Sequence, residues 1–255
     1  MGKLIAVINQ KGGVGKTATS INLAYNLTAL GSKTLLVDLD PSANTTNGVV
    51  KEKDRGNITN TVRELFTDKL FDPTLAIYPL ANNFHLMPSN IKLATIEQII
   101  VKRIHKETIL SRQLDKIKDN YDYLVMDCGP TLSDINVNAM YAADFILIPV
   151  NYSSDAFEGM KDLFDILHEA KENQEYDFKI LRNGLDGTKK TMISMVETFL
   201  THYISDYKVF KTIIRQCEDI NKAKSENEPI SIYAPQSRGA NDYHELTKEL
   251  LSCLG

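Results

Sequence analysis

The sequence predicts an α/β protein with a mostly parallel, twisted β-sheet flanked by helices on both faces. Short apolar runs alternate with segments of helical periodicity, which is typical of βαβ units. The length of 255 residues suits one domain with a large core. We see no linker, repeat or low-complexity tract, so we expect a single domain over residues 1–255. The predicted strands are residues 4–8, 34–38, 84–88, 123–127, 143–150, 178–183 and 209–214.

The helices are marked by apolar residues at helical spacing. The first runs from about residue 17 to residue 30 and stops at Gly31, a residue suited to a helix C-terminus. A long amphipathic helix is predicted from about Ile91 to Lys118, with residues 103–108 as its candidate break. Further helices are predicted at about 61–66, 159–171, 190–203 and 240–254.

Composition limits the classes of function. The net charge is −4, so binding to nucleic acid would require a local basic surface or assembly. Three cysteines without C-x-x-C spacing argue for a reducing cytoplasm and against a disulfide framework or a zinc site. The chain enters its first strand at once, without a signal-peptide pattern, and has no apolar run near the ~18 residues that span a bilayer.

One stretch, residues 9–17, has the composition of a phosphate-binding loop. It lies between the first predicted strand and the first helix, the position in which backbone N–H groups surround a phosphate at a helix N-terminus. Its glycines permit close backbone approach and positive φ. Lys16 would reach the β- and γ-phosphates and Thr17 would ligate Mg²⁺, which predicts ATP and Mg²⁺ as cofactors. The predicted nucleotide contacts are Lys11, Gly12, Gly13, Val14, Gly15, Lys16, Thr17 and Ala18.

Carboxylates follow two of the apolar strands. Asp38 and Asp40 end the second strand, and Asp127 ends the strand at 123–127. Ligands of open α/β sheets lie outside the carboxyl ends of the strands, so these groups should face the loop. The predicted metal-site residues are Thr17, Asp40 and Asp127, the last acting through a water molecule as in a Walker B strand.

The loop has a second lysine, Lys11, at its entrance, and Gln10 breaks the ordinary G-x-x-x-x-G-K-[ST] pattern. The variant K-G-G-x-G-K-[ST] resembles the deviant Walker A box of the ParA/MinD class of P-loop ATPases. Residues 40–44 resemble the D-P-Q-G-N segment of ParA proteins, with Ser42 and Ala43 in place of Gln and Gly. Residues 127–130 resemble D-C-P-P, with Gly129 as a departure.

Together with residues 229–240, these segments extend the resemblance to small, Soj-like ParA partition ATPases over nearly the whole chain. The resemblance implies a P-loop NTPase domain, slow basal ATP hydrolysis and an ATP-dependent homodimer. It implies catalytic roles for Lys11, Lys16 and Asp40, with Lys11 reaching the nucleotide of the partner copy. A plain solvent-exposed charge is the alternative interpretation of Lys11. The implied partners are nonspecific DNA and a ParB-like centromere-binding protein that stimulates hydrolysis.

Two residues are candidates for contact with adenine. Asn183 occupies a position where related ATPases carry an asparagine at the adenine edge, although an ordinary turn asparagine fits equally well. Pro235 lies in a segment resembling the loop that borders the base.

A basic stretch is the candidate DNA surface. Residues 178–224 contain nine Lys or Arg and five Asp or Glu, a local charge of +4, and neutralising phosphates requires only such a surface. Solvated helix faces are the alternative, and Glu218 would repel phosphate. The candidate DNA contacts are Lys189, Lys190, Lys211, Arg215, Lys222 and Lys224.

Three other functions of the class compete with DNA segregation. Membrane-site positioning of the MinD kind needs a basic amphipathic C-terminal helix, but the last helix has one lysine and two glutamates between residues 243 and 254. An iron–sulfur relative needs cysteines from each subunit at a shared cluster, whereas the three cysteines here are scattered. A small-molecule kinase needs a substrate-pocket signature, and none is visible in the sequence. We therefore expect a cytoplasmic protein that is nucleoid-associated when ATP-bound, without stable membrane association.

Overall fold

The computed structural model describes residues 2–172 and 176–255; Met1 and residues 173–175 of the predicted domain lie outside this part. The described chain contains eight strands in one sheet, in the order β3-β4-β2-β5-β1-β6-β7-β8. The strands are β1 Lys3–Val7, β2 Thr34–Leu39, β3 Tyr78–Ala81, β4 Phe84–Met87, β5 Tyr123–Cys128, β6 Phe145–Asn151, β7 Asp177–Leu185 and β8 Val209–Arg215. The predicted strands are confirmed; β3 was not predicted.

Every neighbouring pair in this sheet is parallel except β3 with β4. Central strand β1 lies between β5 and β6, and β5 also pairs with β2. The register aligns Val7 with Asp127, and Asp127 with Asp38. The ends of β1, β2 and β5 therefore meet at one edge of the sheet, as the sequence predicted.

Helices cover both faces of the sheet. They are α1 Lys16–Ala29, α2 Asn44–Val49, α3 Val62–Thr67, α4 Ile96–Ile100, α5 Ile109–Leu114, α6 Asp134–Ala142, α7 Met160–Ala170, α8 Lys190–Tyr203, α9 Glu218–Ser225, α10 Ile230–Tyr233 and α11 Arg238–Leu254. Alternate side chains of β1 enter two separate cores, with Leu4 and Ala6 on one side and Ile5 and Val7 on the other. This alternation follows from the period of two in a strand.

The first core is covered by α3 to α8, and the second by α1, α10 and α11. In α11, Tyr243, Leu246 and Leu250 are buried against the second core. The apolar face of this terminal helix is therefore used in packing, as its excess of glutamate over lysine predicted.

The prediction of one long helix from Ile91 to Lys118 is wrong. The structure has 3₁₀ turns at Ile91–Thr95 and Lys106–Thr108 and only two short α-helices, α4 and α5. The break lies where the sequence placed it: His105 has a left-handed backbone with φ of 55°, which a continuous helix excludes. Tertiary contacts fix the broken path, since Asn138 donates a hydrogen bond to the Lys106 carbonyl at 2.9 Å.

Candidate functional site

The phosphate loop, residues 9–17, joins β1 to α1 at the carboxyl edge of the sheet. Gly13 and Gly15 have φ of 75° and 90°, a region that L-residues with side chains rarely adopt. Gly15 is also the N-cap residue of α1. The turn thus brings successive backbone N–H groups to the start of a 14-residue helix, where anions bind favourably.

Side-chain amides fasten the loop to the strands beside it. The hydrogen bonds run from Asn9 Nδ2 to the Pro149 carbonyl (2.7 Å), from Gln10 Nε2 to the Gly159 carbonyl (3.1 Å) and from Asn183 Nδ2 to the Val14 carbonyl (2.7 Å). Two of these contacts involve residues of β6, which pairs with β1, and of β7, which pairs with β6. This role of the three amides was not predicted from the sequence.

Gly15 and Asn183 are in especially close contact. A Cβ atom built on Gly15 would lie 2.0 Å from Asn183 Nδ2, far inside van der Waals contact. The absence of a side chain at Gly15 therefore lets β7 hold the loop. An adenine contact by Asn183 stays a prediction, since its amide nitrogen already donates to Val14.

Lys16 reaches back across the loop. Its Nζ donates to the carbonyl of Lys11 at 2.9 Å, and the residue is 7% exposed. Burial lowers the pKa of the Lys16 ammonium, while Asp127 and Asp40 act in the opposite direction. A buried cation at the mouth of a ring of N–H groups is suited to a phosphate.

Asp127, at the end of β5, is surrounded by hydroxyl groups. Its carboxylate accepts hydrogen bonds from Thr17 Oγ1 (2.9 Å), Ser20 Oγ (2.9 Å) and Thr45 Oγ1 (2.6 Å). The predicted proximity of Thr17 and Asp127 is thus present in the structure. Ser20 was missed although it lies one helical turn after Thr17, a spacing that could have revealed it.

Asp38 and Asp40 end β2 beside Asp127. Asp38 is fully buried and accepts from the backbone N–H (2.8 Å) and the hydroxyl (2.7 Å) of Thr46. Asp40 is 7% exposed and accepts from the Ser42 N–H at 2.8 Å. The Thr45-Thr46 pair, which binds Asp127 and Asp38 respectively, was also missed, because nothing local distinguishes it from the start of a helix.

Burial disfavours negative charge at this edge. It raises the pKa of Asp38 to about 7, with a further contribution from Asp127. Burial likewise raises the pKa of Asp127, opposed by hydrogen bonds from the surrounding hydroxyls and by Lys16. Because the two carboxylates are buried on neighbouring strands, a cation bound at this edge would stabilise their charged forms.

The residues present fit a magnesium ion of the P-loop kind. Mg²⁺ usually keeps several waters and takes one or two protein oxygens together with substrate phosphates, and here the Thr17 hydroxyl lies beside the phosphate loop with Asp40 and Asp127 nearby. Among the described residues, no group of three His, Cys, Asp or Glu forms a metal cage of its own. The described residues at this edge therefore fit a metal that is also bound by phosphate and water, rather than one held by protein carboxylates alone.

Lys11 is held within its own chain. Its ammonium donates to Ser153 Oγ at 2.6 Å and forms an ion pair with Asp155. Hydrogen bonds to Lys11 and to Ser153 lower the pKa of Asp155 to about 2. Ser153 and Asp155 follow β6, and no sequence signal linked them to the loop. The interpretation of Lys11 as a free, solvated charge does not describe this structure.

The segment around Asp40 departs from the family pattern without a steric conflict. A Cβ on Gly129 would lie 3.7 Å from the Asp40 carboxyl carbon, which is ordinary contact. Ala43 instead adopts φ of 51° as the N-cap of α2. The glycine of the D-P-Q-G-N pattern that this segment resembles would therefore fit this backbone conformation better.

Of the two predicted adenine contacts, Pro235 lies in an exposed turn between α10 and α11. That position is accessible to a ligand. The contact itself stays a prediction.

The six candidate DNA residues fall on three elements and differ in their partners. Ion pairs within the chain engage three of them: Arg215 with Asp242 (2.6 Å), Lys222 with Glu218 (3.7 Å) and Asp219 (3.8 Å), and Lys189 with Asp186 (3.9 Å). The Arg215 pair is bidentate and raises the pKa of its guanidinium. Within residues 2–172 and 176–255, the other three form no ion pair; they are Lys190, Lys211 and Lys224.

No helix in the described part of the chain is both long and apolar enough to cross a bilayer.

Comparisons with known proteins agree with this geometry. A family model described as an AAA domain matches residues 2–180. The chain is 37% identical over 253 residues to the sporulation initiation inhibitor protein Soj of Bacillus subtilis, with 98% of each chain covered. It is 32% identical to the chromosome-partitioning ATPase Soj of Treponema pallidum, covering 99% of this chain and 98% of the relative.

A solved structure of cobyrinic acid a,c-diamide synthase from Mycobacterium smegmatis, with a bound ATP analogue and magnesium, is similar with a TM-score of 0.84. It is 26% identical, and the match covers 98% of this chain and 94% of the other. The sheet, the phosphate loop and its carboxylates define a P-loop ATPase fold. Within that class, the chain belongs to the ParA/Soj family of partition ATPases, which confirms the resemblance found in the sequence.

Proposed function

We propose that this protein is an ATP-dependent DNA-segregation ATPase whose ATP-bound homodimer binds DNA nonspecifically and releases it after hydrolysis. A ParB-like centromere-binding protein would stimulate that hydrolysis. The observation that carries the proposal is the presence of two lysines, Lys11 and Lys16, on one phosphate loop in a chain that aligns with Soj over 98% of its length. One lysine is enough to bind the phosphates of a single nucleotide, so the second calls for another role.

ATP would bind with its phosphates against the N–H groups of residues 12–18 and the Lys16 ammonium. The Thr17 hydroxyl, Asp40 and, through water, Asp127 would hold Mg²⁺, which supplies charge neutralisation at the phosphates. Ser20 and Thr45 position Asp127. The Ser20 and Thr45 hydroxyls would therefore act through Asp127, as positioning groups.

Hydrolysis requires a water oxygen to attack the γ-phosphorus while the bond to the oxygen bridging the β- and γ-phosphorus breaks. Asp40 would orient that water, and ADP would leave with the electron pair of the broken bond. Negative charge develops on the transferred group. Lys11 of the partner copy would stabilise it, as an arginine finger does in trans.

The trans role of Lys11 requires its release from Ser153 and Asp155. Because both contacts lie on the same chain, a single subunit would hold the lysine away from a partner's nucleotide. Each site would then be incomplete in the monomer. This supports slow basal turnover that rises with dimerisation.

Nonspecific DNA binding would rest on the three candidate lysines that form no ion pair with the residues the structure describes, Lys190, Lys211 and Lys224. Arg215 shares its charge with Asp242, so it contributes less than the sequence suggested. Two copies in a dimer double this positive surface, and affinity for DNA should fall steeply with salt.

Size-exclusion chromatography with ATP or ADP, with and without sequence-unrelated DNA, tests the proposal. The parental protein should form a dimer with ATP only and bind DNA as that dimer. Lys16→Ala should lose nucleotide binding, whereas Lys11→Ala should keep ADP affinity and lose both ATP-dependent dimerisation and hydrolysis. Lys102→Ala, at an exposed position far from the loop in sequence, serves as the control.

Mixing Lys11→Ala with Asp40→Ala chains separates the trans mechanism from a general defect. One site of the mixed dimer would combine an intact Asp40 with a partner's Lys11, so part of the activity should return. Normal dimerisation and hydrolysis by Lys11→Ala alone would contradict the trans mechanism. A monomer with ATP that never binds DNA would contradict the proposed function.

The MinD-like alternative has no supporting observation. It requires a terminal helix whose apolar face is free for the lipid interface, and the apolar face of α11 is packed against the second core. Co-sedimentation with anionic liposomes in the presence of ATP is the direct comparison.

A further inference from the structure

A cavity of about 490 Å³ lies among α3, α5 and the turn that joins α4 to α5. None of the phosphate-loop residues lines it. Helix α3 begins after the carboxyl end of β4, where the Val62 N–H donates to the Pro88 carbonyl at 2.8 Å. Asp38, Asp40 and Asp127 do not line the cavity either, so its lining is distinct from the candidate nucleotide site.

Three of the residues that line the cavity are apolar. Leu65 of α3 is buried, Ile109 of α5 is partly buried, and Ile104, in the turn, is 85% exposed. The cavity therefore presents apolar surface from two helices and from the turn that precedes α5.

Most of the remaining lining residues are cationic. Lys69, Arg103, Arg112 and Lys116 line the cavity, together with His105 and Gln113, and no carboxylate is among the lining residues. In the described part of the chain, none of the four cations forms an ion pair. Carboxylates near the cavity reach only its margin: Lys116 helps to lower the pKa of Asp72, and Glu107 lies 3.5 Å from His105 Nδ1.

Two of the cations are held in place by neutral groups. The Arg103 guanidinium donates to the carbonyls of Phe66 (2.8 Å) and Thr67 (3.0 Å). Lys116 Nζ donates to Gln113 Oε1 (2.6 Å) and to the carbonyls of Lys69 and Phe71 (3.2 Å each), so it offers a ligand its charge but no remaining donor. A guanidinium has five N–H donors in a fixed fork, so Arg103 keeps donors for a ligand. Cations fixed beforehand bind an anion with less loss of side-chain entropy.

We propose that this cavity binds a small amphiphilic anion, with an apolar body against Leu65, Ile104 and Ile109 and one acidic group at the cations. The volume lies in the range of about 300–1,000 Å³ typical of small-molecule sites, which combine an apolar lining with a few convergent polar groups. The concave shape favours such a molecule over a flat lipid surface. The proposal does not rest on the function proposed above.

Isothermal titration calorimetry on the full chain tests the site with sodium decanoate below its micelle concentration. Decanoate should bind at one saturable site, and decyltrimethylammonium, which has the same chain and the opposite charge, should not. The double variant Lys69→Glu/Arg112→Glu should weaken decanoate binding about tenfold or more, since each reversal replaces an attraction with a repulsion. Ile104→Asp should weaken it as well.

The matched controls are Lys102→Glu and Val101→Asp, exposed neighbours that do not line the cavity. Circular dichroism and unchanged ATP binding would show that each variant is folded. Absence of saturable decanoate binding, equal binding of both surfactants, or unchanged affinity in the double variant would overturn the proposal. Preference for phosphatidylglycerol vesicles over monomeric decanoate would assign the surface to a membrane and overturn it too.

Discussion

Alanine substitutions at the three loop glycines should have sharply different effects. Gly12 has no positive φ and open space around its Cα. Gly13 has a left-handed backbone but open space, and Gly15 combines a left-handed backbone with the 2.0 Å approach to Asn183. The series therefore separates backbone strain from steric conflict within one loop.

The magnitudes follow from these geometries. Gly12→Ala should change the free energy of unfolding between zero and a gain of about 1 kcal/mol, since it only restricts the unfolded chain. Gly13→Ala should cost about 1–2 kcal/mol for a left-handed L-residue. Gly15→Ala should cost about 2–5 kcal/mol, because it also displaces Asn183 and leaves the Val14 carbonyl without its donor.

Urea unfolding of the nucleotide-free proteins measures the series, and calorimetry with ADP measures its effect on the loop. Adding Asn183→Ala to Gly15→Ala should cost little more than Gly15→Ala alone, because the same hydrogen bond is already lost. Equal unfolding midpoints for Gly13→Ala and Gly15→Ala, or full additivity in the double variant, would refute the proposed contact between β7 and the loop.

Asp40→Ala should keep ATP affinity but lower hydrolysis by about a hundredfold or more; calorimetry with a phosphate-release assay measures both, and parental turnover would move the role to another carboxylate. Ala43→Gly should raise the free energy of unfolding by up to about 1 kcal/mol, since it relieves a left-handed alanine, and a loss in urea unfolding would contradict this. Folded Asp38 keeps its proton up to a pKa of about 7 against 3.8 unfolded, so stability of the metal-free protein should fall as pH rises from about 4 to 7 and then level off. Asp38→Asn should flatten that slope, and an identical pH profile would contradict it.

The sheet could be predicted because its strands carry a local signal. Runs such as residues 4–8 and 123–127 are apolar enough to be buried on both faces, as parallel strands are. The phosphate loop, with Asp38, Asp40 and Asp127, could be placed because parallel strands end at one edge. The path of residues 91–118 could not be predicted correctly, because the sequence there has a helical pattern. In the structure, the left-handed backbone of His105 and the hydrogen bond from Asn138 interrupt the helix.

The hydrogen-bond and ion-pair partners of the site residues could not be predicted either, because they lie far away in the sequence. Ser153 and Asp155 lie about 140 positions from Lys11, and only the pairing of β6 with β1 brings them near. Arg215 was predicted as a DNA contact, and its pairing with Asp242, 27 positions later, could not be seen in the sequence. Strand order, rather than residue type, determines these contacts.

The amide contacts of the phosphate loop have a further consequence for its electrostatics. Asn9, Gln10 and Asn183 each hold the loop by donating to a carbonyl, and none adds charge. An aspartate at 183 would be isosteric, yet it could not donate to Val14 and would set a fixed anion against the phosphates. Hydrogen bonds from neutral amides therefore hold the loop in place without weakening its electrostatic attraction for an anion.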